Sequence, residues 1–72
     1  MVFNGFYNYR VEVYNGEDYL GTFGYIANIR FLSYWLNIHP KYSSWTSIRI
    51  YDRASDALMG VYQRGDAIPD KL

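Results

Sequence analysis

Residues 6–16 read FYNYRVEVYNG, and the fold follows from this stretch. Tyr7, Tyr9, Val11 and Val13 fall on one parity, and Phe6, Asn8, Arg10, Glu12 and Tyr14 on the other. That is the period-two alternation of a strand with one buried face and one wet face. Asn15-Gly16 follows at once, a dipeptide that readily takes the positive φ angles of a tight hairpin turn. A second strand from Tyr19 to Phe23 is therefore expected to return antiparallel to the first, strand Phe6–Tyr14. Gly21 weakens that strand and marks a bulge within it.

Further along, the hydrophobic period lengthens. From Tyr25 to Ile38 the spacing predicts a helix, with Ile29, Leu32 and Leu36 on one stripe and Ile26 at its edge. Arg30, Ser33, Tyr34 and Asn37 make its polar face. Pro40 sets the boundary, because a residue preceding proline is pushed out of helical geometry. Ala27, Phe31, Trp35 and Ile38 lie beside the core stripe and widen the apolar face beyond what packing on one side of a sheet requires. Either the loops fold over this flank, with Trp45 nearby, or the flank is a docking patch, in the self-complementary case a twofold dimer.

Two more strands complete the pattern. Trp45 to Asp52 alternates Ile48 and Ile50 against Ser47, Arg49 and Tyr51. Ala57 to Gln63 sets Met59 and Val61 against Leu58 and Tyr62. Between them, Asp52-Arg53-Ala54-Ser55-Asp56 has turn chemistry, since Asp and Ser side chains bond nearby backbone groups. Gly65, Asp66 and Pro69 belong to a short, frayed tail. The order strand, strand, helix, strand, strand predicts an α+β fold of ββαββ form. Residues 1–72 are read as a single domain, a four-stranded antiparallel sheet with one helix packed on one face.

Composition narrows the functional classes. A 72-residue chain has room for one small core, and without cysteine it has neither a disulfide nor a thiolate metal site. Seven basic and seven acidic residues cancel, so the excess of positive charge common to nucleic-acid binders is missing. The N-terminus lacks the basic start and apolar run of a secretory signal. The stretch Ile26–Ile38 is too short and too polar to span a bilayer. A cytoplasmic protein with no membrane partner is expected. The chain is 21% aromatic, with nine Tyr among its residues. Core filling accounts for Phe and Trp better than for Tyr, whose hydroxyl needs a partner and which is favoured at interfaces.

Catalytic constellations are lacking. His39 stands alone before Pro40 and is explained as a cation near a helix C-terminus, while no serine lies in a nucleophile motif. Asp52 and Asp56, with Asp66 within reach, permit a carboxylate pair by spacing, but short turns attract Asp without any such role. Gly16, Gly21 and Gly24 do not spell a phosphate-binding fingerprint. The expectation is no enzyme, no metal and no cofactor.

Two surfaces remain. If Val11, Val13, Ile48, Ile50, Met59 and Val61 pack under the helix, Arg10, Glu12, Tyr14, Arg49, Tyr51 and Tyr62 face outward. Tyr and Arg together anchor protein interfaces, and they also stack on single-stranded nucleic acid. The other surface is the helix flank, Phe31 and Trp35 with Ile38. The candidate partner-binding residues are thus Arg10, Tyr14, Arg49, Tyr51, Tyr62, Phe31 and Trp35.

Ile48-Arg49-Ile50-Tyr51-Asp52, a short turn, then Ala57-Leu58-Met59-Gly60-Val61-Tyr62 and Gly65 resemble the closing hairpin of many tiny phage-encoded proteins. Some anti-CRISPR proteins and other host-takeover inhibitors share the size and the strand–helix–strand plan. The resemblance covers about the last third of the chain and carries over no functional residue. It implies stoichiometric binding to a host protein or protein–RNA complex without turnover. The expected function is accordingly a protein-binding module acting as an inhibitor. Single-stranded nucleic-acid binding and a structural homodimer are the alternatives.

Overall fold

A computed structural model of the chain describes residues 9–26 and 29–69, with 24–26 as backbone only. Its elements are β1 (Tyr9–Asn15), β2 (Asp18–Ile26), α1 (Leu32–Ile38), β3 (Ser47–Asp52) and β4 (Leu58–Gln63). The strands form one antiparallel sheet in the order β2-β1-β3-β4. The expected ββαββ fold is what the chain adopts. Phe6, Tyr7 and Asn8, placed by sequence in the first strand, lie outside the described residues, as does Ala27 of the helix flank.

The alternation in β1 works as its sequence dictates. Tyr9, Val11 and Val13 are buried, while Arg10, Glu12 and Tyr14 are half-buried on the opposite face. Val11 faces Ile50 and Val13 faces Ile48 across the central β1–β3 pair. These four side chains are fully enclosed together with Ile29 and Leu36, and Leu32, Tyr42 and Trp45 complete the cluster. The sheet and the short helix thus share one core. Trp45, expected in β3 or near the helix flank, precedes β3 and is buried, its Nε1 donating to Asn37 Oδ1 at 2.9 Å.

Two turns of the prediction shift. The β1–β2 hairpin pairs Asn15 with Asp18, so its central residues are Gly16 and Glu17, with Gly16 at φ +59°. Glycine at the first central place is the residue such a turn requires. More consequentially, the helix begins at Leu32 instead of Tyr25. Residues 24–26 stay in β2, and Ile26 pairs with Tyr9. Hydrogen bonding to β1 is available there, and it overrides the helical spacing of the side chains. At the other end, His39 takes φ −79° and ψ 127°, the extended geometry imposed before Pro40.

The bulge expected at Gly21 is present. Val13 pairs with Gly21 and Tyr14 with Tyr19, leaving Leu20 as the extra residue. Gly21 has φ +155°, and a Cβ there would lie 2.5 Å from the Tyr42 hydroxyl. Tyr42 in turn packs its ring 4.8 Å from that of Phe23 and 4.8 Å from that of His39. His39 Nδ1 accepts a bond from the Lys41 N–H at 3.1 Å. His39 stands at the C-cap of α1, as the sequence places it, and its ring also joins this aromatic cluster.

The fourth strand corrects the expected facing. Tyr62 pairs with Ile48 and Gly60 with Ile50, which puts Tyr62 and Gly60 on the core face. Val61 pairs with the outward Arg49 and is 50% exposed, and Met59 is also exposed. Met59 and Val61 therefore do not pack under the helix, and Tyr62 does not join the outer face. The reason is local: Gly60 leaves a hole above Ile50 that the Tyr62 ring fills, so closely that a Cβ on Gly60 would lie 2.8 Å from Tyr62 Cε2.

Candidate functional surfaces

The outer face of the sheet is built around Glu12. Its Oε2 accepts from Arg10 Nη1 at 2.7 Å, and its Oε1 accepts from the Tyr14 hydroxyl at 2.9 Å and the Tyr51 hydroxyl at 3.3 Å. The strands set this arrangement: Arg10 lies opposite Tyr51, and Glu12 opposite Arg49, across the β1–β3 ladder. Arg10 lies 4.1 Å from the centre of the Tyr51 ring, and Nη2 of the same guanidinium binds Asp56 Oδ1 at 2.5 Å. Arg49 sits over the Tyr14 ring at 4.9 Å, and Tyr14 meets Tyr19 edge-on at 5.6 Å.

Electrostatics lock this network. Partial burial pushes the Glu12 carboxyl upward, but the bonds from Tyr14, Arg10 and Tyr51, with the charge of Arg10, outweigh it and hold the carboxyl below the usual range. The Tyr14 phenol is raised, chiefly because it donates to Glu12. Arg10 is held more firmly protonated by its bonds to Asp56 and Glu12. Four of the five residues expected to form an outward Tyr/Arg surface, namely Arg10, Tyr14, Arg49 and Tyr51, do come together. The fifth, Tyr62, is on the other side.

The acidic residues of the turns are occupied in the way turn chemistry requires. Asp52 Oδ2 accepts from the Ser55 N–H at 3.0 Å and from Ser55 Oγ at 2.7 Å, and these bonds lower its carboxyl below the ordinary value. Asp56, at φ +63°, turns back to Arg10, and Asp66 Oδ2 caps the Gln63 N–H at 2.8 Å. Among the described residues, no group of three or more His, Cys, Asp or Glu side chains is placed to hold a metal ion.

The helix presents the second surface. Leu32 and Leu36 are buried, yet Phe31, Tyr34, Trp35 and Ile38 are exposed by 59%, 63%, 57% and 60%. Among the described residues no loop covers this flank, so the reading that assigned it to the core is corrected. Spaced i, i+3, i+4 and i+7, the four side chains form one continuous apolar stripe along the helix. Four groups this size expose on the order of 500 Å² in total, comparable with the largest patch found on typical monomers. Tyr34, read from the sequence as part of the polar face, belongs to this patch. Its membership was detectable from the i+3 spacing to Phe31. Arg30 at the rim lies 5.4 Å from the centre of the Phe31 ring.

No family model, curated protein or solved structure matches this chain. Among the described residues, no helix is long and apolar enough to cross a membrane.

Proposed function

We propose that this chain is a non-enzymatic protein-binding module that inserts the helix stripe of Phe31, Tyr34, Trp35 and Ile38 into an apolar groove of a partner protein. The observation that carries the reading is the exposure of four large apolar side chains, each more than half open, three on the seven-residue helix and Phe31 at its N-cap. Anchors at i, i+3, i+4 and i+7 are the recognition pattern of a helix laid in a groove. Trp and Tyr supply binding energy out of proportion to their number, because each buries much area with few rotamers to freeze. Action is then by stoichiometric occupancy of a surface, as in the small phage-encoded inhibitors whose closing hairpin the chain resembles.

The outer sheet face supports this order of preference over nucleic acid. Phosphate binding needs cations that are free to exchange counterions. Arg10 instead spends its charge on Glu12 and Asp56. Its stacking on Tyr51 braces the sheet from outside.

Affinity capture from a lysate of the native host, with and without nuclease, tests the reading when wild type is compared with Trp35→Ala and Phe31→Ala. A stoichiometric protein that survives nuclease and is lost with either variant, at unchanged circular dichroism, is the expected result. Capture that persists in both variants, or that vanishes with nuclease, overturns it.

A further inference from the structure

We infer, resting on the groove-binding role proposed above, that the partner's groove is rimmed with carboxylates. Lys41 at one end of the helix stripe, and Arg30 at the other, are their counter-charges. The chain is neutral as a whole, but its charges are segregated. Residues 19–51 hold Arg30, Lys41 and Arg49 with neither Asp nor Glu, while the remainder holds four basic and seven acidic residues. The stretch without acid includes Phe31, the whole of α1 and the loop that follows it.

The fold sets these cations at the ends of the stripe. Arg30 is exposed just before Phe31, and its guanidinium lies 5.4 Å from the centre of that ring. Lys41 comes two residues after the C-cap His39, and local bonds fix its backbone there. Its N–H donates to His39 Nδ1 at 3.1 Å, and the N–H of Tyr42 donates to the His39 carbonyl at 3.1 Å. Burial of the Tyr42 ring anchors this loop beside the helix end. The Lys41 ammonium stands 5.5 Å from the centre of that ring. Lys41 is exposed and, among the described residues, forms no ion pair.

Charge complementarity then selects the occupant. A second copy is disfavoured in either orientation, since like charges facing one another across an interface cost affinity. Antiparallel stripes would set Arg30 of one copy beside Lys41 of the other, and parallel stripes would set each cation beside itself. A groove with carboxylates at its ends takes the four apolar side chains in its centre and gives each cation a partner at the rim. An apolar centre inside a polar rim is the ordinary anatomy of a protein interface. Charges at such a rim act mainly by steering the encounter, and salt screens their effect.

The probe for the test is the protein that capture retains with wild type and loses with Trp35→Ala, purified and fixed to a sensor surface. Association and dissociation rates are read at low and high salt, for variants of unchanged circular dichroism. Lys41→Gln and Arg30→Gln are each expected to slow association about threefold at low salt, and Lys41→Glu about tenfold. Dissociation is expected to change little, and the differences to shrink at high salt. Lys41→Arg keeps the charge and is expected to match wild type. Arg53→Gln, in the turn between β3 and β4, removes the same charge elsewhere and is expected to alter the rate by less than about twofold. Association that ignores the charge at Lys41, or that Arg53→Gln slows as much as Lys41→Gln does, overturns the acidic rim and leaves the groove-binding role standing. Capture that yields no Trp35-dependent protein removes both. Trp35-dependent binding to vesicles of equal parts phosphatidylcholine and phosphatidylserine assigns the stripe to a lipid surface and overturns both as well.

Discussion

Glu12 ties together β1 and β3 on the outside of the sheet, accepting from Arg10, Tyr14 and Tyr51. Its carboxyl is held below the ordinary range, so its stabilising contribution is complete at neutral pH and is lost as pH falls through the ordinary and then the lowered value. Glu12→Gln keeps the shape but loses the charge-assisted bonds. A cost of about 1 kcal/mol at neutral pH is expected, shrinking toward zero in acid. Chemical denaturation of both proteins across the acidic range checks this. The difference between the two curves isolates Glu12 from Asp52, whose lowered carboxyl weakens the fold in the same direction. Gly60 shows the limit of reading single residues. Both parities of Leu58-Met59-Gly60-Val61-Tyr62 are apolar, so alternation could not say which side is buried. A hole filled by a ring two residues away could.

Among the elements, α1 separates core from surface within one turn. Leu36 is fully enclosed and Trp35 beside it is 57% exposed. Leu36→Ala is expected to cost roughly 2–5 kcal/mol, which a chain this small survives poorly. Trp35→Ala is expected to change stability by no more than about 0.5 kcal/mol. Thermal melts of the two variants make the comparison, and equal losses would return the flank to the core. The helix was legible in its second half, where Leu32 and Leu36 keep helical spacing and Pro40 closes it. Its first half was not, because Tyr25 and Ile26 suit a strand as well as a helix, and only the neighbouring β1 decides between them. Arg10, Tyr14, Arg49 and Tyr51 were legible as one face from parity in β1 and β3. The exposure of Phe31, Trp35 and Ile38 was not, because it depends on the path of residues 39–46, which the spacing of apolar residues does not encode.

For the whole molecule, the decisive feature is that the central pair of the sheet, β1 with β3, joins strands from opposite halves of the chain. Each outer hairpin is local and can form early, but neither encloses a core alone. Tyr9 must find Asp52 across more than half of the chain's length. Non-local pairing of this kind slows folding relative to helical domains of equal size. Stopped-flow refolding is expected to show Val11→Ala and Ile50→Ala slowing the folding rate, since the transition state must bring their strands together. Changes confined to the unfolding rate would place that step after the barrier. The same division makes the chain separable. Cut between Lys41 and Ser44, it yields two fragments that each hold one side of the central ladder, and their reunion is a recognition event between complementary halves. A reporter fused to each fragment would therefore light only when the two met.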